Sequence, residues 1–168
     1  MEELKNKVAA SGLITIDLER FYPEIQPEVF DIKDFLFMDM LLKEKDFREA
    51  MDQHDWSRYS GKTVAVFCSN DAIIPLWAHM LIASKLIPFA QQIVSGDVDF
   101  AFRESFLQNI RAGLDKEVFV DKRVIIKGCG DKPIPDYAYL EASKILLPVV
   151  KSLMYGEPCS TVPVFKKK

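Results

Sequence analysis

Apolar and polar positions alternate along this chain with two different periods. Leu4 and Val8 stand at helical spacing ahead of Ser11-Gly12, which predicts a short helix over 2–10 with a glycine stop. Leu13-Ile14-Thr15-Ile16 is a β-branched run and predicts a strand. Residues 17–31 set Pro23 and Pro27 among acids and aromatics, the composition of an irregular extended arm. The run from Ile32 to Leu42 suits a strand or a buried helix, because a short apolar run carries no period that separates them. Over 43–54 a helical period returns, with Phe47, Ala50, Met51 and His54 on one face.

Residues 62–97 slide onto 122–157 without a gap. Nine pairs are identical, among them Asp71/Asp131, Ile74/Ile134, Pro75/Pro135, Pro88/Pro148 and Gly96/Gly156, where average usage would give about two. Such self-similarity predicts an internal duplication. Each copy opens with a β-branched run (Thr63 to Phe67; Arg123 to Lys127), then an Asp-x-x-Ile-Pro turn. An apolar helix follows (Pro75 to Ile87; Pro135 to Leu147), stopped by a second proline, and a short strand runs to Gly96 or Gly156. That order is a βαβ unit with parallel strands. Residues 98–113 read as the amphipathic helix joining the copies. Taken alone, residues 149–155 could extend the preceding helix through Pro148. FAQQIVSG in the first copy reads as turn and strand, so 149–155 is expected to be a strand. The expected fold is a three-layer α/β single domain over 1–168. Its mainly parallel sheet is built from two duplicated βαβ units, behind an N-terminal arm over 1–42.

Composition narrows the setting. A length of 168 residues suits one domain, and 49% hydrophobic with 28% charged residues is ordinary for a globular chain. A net charge of −3 gives no reason to expect nucleic acid, and Lys166 to Lys168 read as a solvated tail. No apolar run reaches the length of a membrane span, and the first residues lack the pattern of a signal peptide. Three cysteines, an odd and sparse number, point to reduced thiols in a cytoplasm.

Ligands of open parallel sheets bind beyond the carboxyl ends of the strands. Cys68 closes the first strand of one copy, Cys129 sits just past that of the other, and Cys159 follows the 149–155 strand. Three thiolates completed by Asp71 or Asp131 could hold zinc or an iron–sulfur cluster. Against this, Cys68 aligns with Gly128 and Cys129 with Ser69, one register apart, and free cysteines at strand ends also serve as small core residues. A rival reading is a cysteine-dependent enzyme with Cys129 as nucleophile. Cys129 lies in Lys127-Gly128-Cys129-Gly130-Asp131, where glycines let the backbone approach a ligand. His54 and His79 both read as core positions, Tyr139 replacing His79 in the second copy, and Trp56 reads as packing under its loop. The repeated aspartates are most simply turn and helix-start residues. A third reading is an interaction module. Twelve Phe and two very apolar helices exceed what one core hides, and a homodimer would cover the surplus.

HDWSRYSGKTVAVFCSNDAIIPLWAHMLIAS, KGCGDKPIPDYAY and VKSLMYGEPCSTVPVFKK give the whole chain a family resemblance. It resembles the uncharacterised bacterial proteins of domain-of-unknown-function family 2480, found in Bacteroidota. The resemblance implies a cytoplasmic protein of about this length. It brings no activity and no catalytic residue. Such proteins are often encoded beside iron–sulfur cluster assembly components, which implies partners of that kind. The expected role is therefore an accessory protein that binds a metal or cluster, or a partner in cluster assembly, rather than an enzyme.

Overall fold

Within the two repeated segments, strands and helices form where the β-branched and helical periods place them. A computed structural model describes residues 12–128 and 130–168. The helix expected over 2–10 and Cys129 lie outside the described residues. The strands are β1 (Leu13–Asp17), β2 (Glu28–Asp31), β3 (Thr63–Phe67), β4 (Gln92–Ser95), β5 (Arg123–Lys127), β6 (Ser152–Glu157) and β7 (Ser160–Lys166). The helices are α1 (Glu44–Gln53), α2 (Leu76–Leu86), α3 (Val98–Gly113) and α4 (Asp136–Leu146). The class is mixed α/β with mainly parallel sheets.

The segments β3-α2-β4 and β5-α4-β6 match element for element, each start recurring sixty residues further on. Their registers match as well. Val64 pairs with Ile93 and Val124 with Leu153, all strands parallel. Residues 152–157 are thus a strand rather than a continuation of α4, because Pro148 cannot extend a helix and the chain turns back onto β5.

The described chain divides into two compact units. One runs to Tyr22 and resumes at Phe106. Its sheet has the order β1-β5-β6-β7, with β7 antiparallel. Its core sets Ile16, Val124, Ile126 and Leu153 of the strands against Phe106 and Ile110 of α3 and Ala138, Ala142 and Leu146 of α4. The other unit is Pro23–Ser105, with sheet order β2-β3-β4. Phe30, Val64 and Val66 on one face of that sheet meet Phe47 and Met51 of α1 and Ala78, Ile82 and Leu86 of α2. On the other face Ala65 and Val94 meet Ala101 of α3. Full burial of a large apolar side chain contributes about 1.5–3 kcal/mol, so helix, sheet and helix layers hold this unit.

Three segments differ from expectation. Residues 17–31 form an irregular arm only over 22–27, because two aspartates organise the flanking turns. Asp17 and Asp31 accept from Glu19 and Lys33 N–H at 3.0 Å and cap short 3-10 turns ending in Phe21 and Phe35. Asp55 and Asp115 do the same ahead of β3 and β5, at 3.1 Å. The run 32–42 is neither strand nor helix after its 3-10 turn. It folds back through a Phe37–Leu41 bridge with Met38 and Asp39 at positive φ. The C-terminal basic tip begins in an edge strand, β7, which tolerates Pro163 because an edge can spare a donor; a bulge lies opposite Leu153/Met154.

Candidate functional site

The carboxyl ends of β3 and β4 in the Pro23–Ser105 unit border a cleft of about 450 Å³. Its floor is Val66, Ile93 and Ser95, and its wall is Leu76, His79, Ile82 and Ala83 of α2. Only His79 and Ser95 among these carry polar side chains, and Ser95 is exposed at the mouth. Small-molecule sites combine apolar walls and a few convergent polar groups in this way.

Cys68 stands two residues beyond Val66 and packs against the same core. Its thiol donates to Asn70 Oδ1 at 2.9 Å. That oxygen also accepts from Ala72 N–H at 3.3 Å, while Asn70 Nδ2 donates to the Asp39 carbonyl, so the amide is held from both ends. Asp31 ties the end of β2 to this turn by accepting from Ser69 N–H at 3.1 Å. Burial pushes the Asp31 carboxyl up, but the bonds from Ser69 and from the Lys33 backbone, with the Lys33 charge, leave it below its ordinary value.

The equivalent place in the other unit holds two aromatic rings. Tyr139 of α4 and Tyr155 of β6 stand where His79 and Ser95 stand, with ring centroids 5.7 Å apart and planes at 70°. Tyr139 also leans over Gly128, the counterpart of Cys68. A Cβ at Gly128 would lie 2.9 Å from Tyr139 Cζ and closer still to its hydroxyl. The tyrosine and glycine of one unit thus correspond, position for position, to His79 and Cys68 in the other.

The sequence-predicted site residues do not share one edge of one sheet, because there are two sheets. Cys68 follows β3 of the three-stranded sheet. Cys159 lies exposed in the turn between β6 and β7 of the four-stranded one. Asp71 and Asp131 are exposed and do not start the helices. The cap positions are Pro75 and Pro135, neither with a side-chain cap bond. Among the described residues no group of three His, Cys, Asp or Glu is placed to hold a metal ion. The glycines flanking Cys129 make room for the protein's own side chains, Tyr139 at Gly128 and the Glu19 carboxylate at Gly130.

His79, read from sequence as core, is half-buried and lines the cleft. The signal that could have found it was the pairing of His79 with Tyr139 and Ser95 with Tyr155 in the self-alignment. His54 is a core histidine. It lies 3.1 Å from Tyr59 Oη, and burial, then the Arg58 charge, lower its pKa against a weaker raise from Asp55. Trp56 is buried and donates to the Met51 carbonyl at 2.7 Å.

Mainly parallel strands joined through helices define an α/β protein. Within that class the chain belongs to a family described as "Protein of unknown function (DUF2480)", whose profile matches residues 2–167. No curated protein and no solved structure matches it. No helix among the described residues is long and apolar enough to cross a membrane.

Proposed function

We propose that this protein binds a small, largely uncharged molecule in the cleft between α2 and the β3-β4 face. The observation that carries the reading is the contrast between the units. The same place holds the paired rings of Tyr139 and Tyr155 in one and a cleft beside His79 and Ser95 in the other. The volume falls within the range of about 300–1,000 Å³ usual for such sites. The test is a ligand-observed NMR screen of a neutral fragment set against the wild type and against Cys68→Gly/His79→Tyr/Ser95→Tyr. That triple variant installs the trio that already packs together in the other unit. Fragments should bind the wild type and lose at least ten-fold in affinity for the triple variant, which should still unfold cooperatively. A screen with no binder, or equal binding by both proteins, overturns the reading.

One observation favours a second reading, cysteine-dependent catalysis. His79 takes the position of a tyrosine that leans over the counterpart of Cys68. An imidazole brought over a thiol, as that correspondence would bring His79 over Cys68, is the pairing that nucleophilic catalysis uses. The nucleophile is then Cys68 rather than Cys129. Alkylation of Cys68 by iodoacetamide that slows at least three-fold in His79→Gln would support it, and an unchanged rate would remove it.

A further inference from the structure

We infer that the molecule bound in this cleft carries an aromatic ring, phenyl or phenol, seated where Tyr155 sits in the other unit and edge-on to His79. The inference rests on the cleft being a ligand site. It adds the chemical class of the ligand, which the two units supply by comparison.

In the first unit the Tyr155 ring meets Tyr139 edge to face, at a centroid distance of 5.7 Å and 70° between planes. Aromatic pairs prefer that arrangement because the positive ring edge meets the negative ring face. In the second unit the helix position keeps a planar aromatic group, the His79 imidazole. The strand position is cut back to the Ser95 hydroxymethyl. One partner of the pair is retained and the other removed, which leaves a ring-sized space beside an aromatic wall. The rest of the lining is aliphatic, from Val66, Leu76, Ile82, Ala83 and Ile93, and among the described residues no charged side chain lines the cleft. An uncharged flat ring matches that lining, and the His79 and Ser95 side chains offer hydrogen bonds to a ring hydroxyl. Tyr155 itself is 41% exposed. A ring in the matching place has one open edge, through which a substituent passes beside Ser95 into solvent.

The probe is p-cresol, the tyrosine side chain as a free molecule, compared with 4-methylcyclohexanol, which has the same hydroxyl and methyl groups on a non-aromatic ring. Binding is read by isothermal titration and by ligand-observed NMR on the full chain. The wild type should take one p-cresol, at least ten-fold more tightly than 4-methylcyclohexanol. Ser95→Tyr, which supplies the ring covalently, should lose that site. Tyr155→Ser opens the matching place in the other unit and should gain a second p-cresol site, with a larger p-cresol-induced rise in Tm than the wild type shows. Equal binding of the two probes, or undiminished p-cresol binding by Ser95→Tyr, overturns the inference. If neutral non-aromatic fragments bind the wild type and not the triple variant while p-cresol does not bind, the ring assignment fails and the cleft reading stands. If nothing binds, both fail.

Discussion

Gly128→Ala probes the correspondence between the two units most directly. The added Cβ would stand 2.9 Å from Tyr139 Cζ, well inside an ordinary carbon–carbon contact of about 3.5–4.0 Å. Either the phenol ring swings away from Tyr155 or the end of β5 shifts. Overpacking of this kind costs about 1–3 kcal/mol. The upper half of that range is expected, because the obstacle is a rigid ring already packed against a second one. In a chain of this size a loss of about 2 kcal/mol lowers Tm by roughly 4–8 °C. The structure also specifies the rescue. Cys68 and His79 coexist at the matching positions, so Gly128→Cys combined with Tyr139→His should be far milder than the two single changes added together. Urea unfolding of the wild type, both singles and the double should give a coupling energy of about 1–3 kcal/mol, the size found for residues in contact. Additive effects, with a coupling below about 0.5 kcal/mol, would show that the two positions do not trade volume and would break the comparison on which the cleft reading stands.

Glu141 is almost fully buried and accepts from Arg111 Nε at 2.7 Å and Lys144 Nζ at 2.9 Å. The Arg111 bond, set against burial and aided by Lys144, holds its carboxyl below the ordinary 4.5. A carboxyl lowered in this way stabilises the fold above its unfolded pKa, and the effect fades as pH falls through the folded value. Both cations are half exposed or more, so Glu141→Gln should cost only about 1 kcal/mol at pH 7, with the gap to wild type narrowing below pH 4.5 in urea unfolding; an equal gap at pH 3 would refute the assignment. The exposed Cys159 should alkylate faster than the half-buried Cys68, read by peptide mass. Metal content of tag-free protein should be the same in wild type, Cys68→Ser and Cys159→Ser, and stoichiometric zinc or iron lost from either variant would point to a thiolate centre in place of an organic ligand.

The strands and helices of the repeat were legible to the residue or nearly so, because β-branched runs and proline stops act locally. Thr63 to Phe67, Arg123 to Lys127 and Val98 to Gly113 carry their own boundaries. Strand partnership was not legible. β1 and β2 follow one another in the chain yet enter different sheets, and a run such as LITID says that it will be a strand without saying beside which other strand. The Asp-capped turns were hidden for another reason. Each rests on one side-chain bond to a backbone N–H two residues on, and aspartate is common enough in loops that Asp17 and Asp31 do not stand out. Cys68 and Cys159 follow strands of different sheets, a split that the expectation of a single sheet did not foresee.

Identity between the two segments marks what both need in order to fold. Pro75 and Pro135 hold the cap positions, and Leu86 and Leu146 the buried helix ends. Residues required in both places cannot explain why one place is a cleft and the other holds paired rings. The explanation must lie where the segments differ, and three differences converge there. Cys68, His79 and Ser95 stand against Gly128, Tyr139 and Tyr155. The changes are also matched in size. The side chain lost at Gly128 makes room for the phenol of Tyr139, and the ring gained at Tyr155 packs on it. Unrelated substitutions at three positions would more often leave an overlap or a void than a filled aromatic pair on one side and a lined cleft on the other. Close-packed interiors register single methylene errors, so the two trios are best understood as two complete solutions, each of which has to be exchanged as a set.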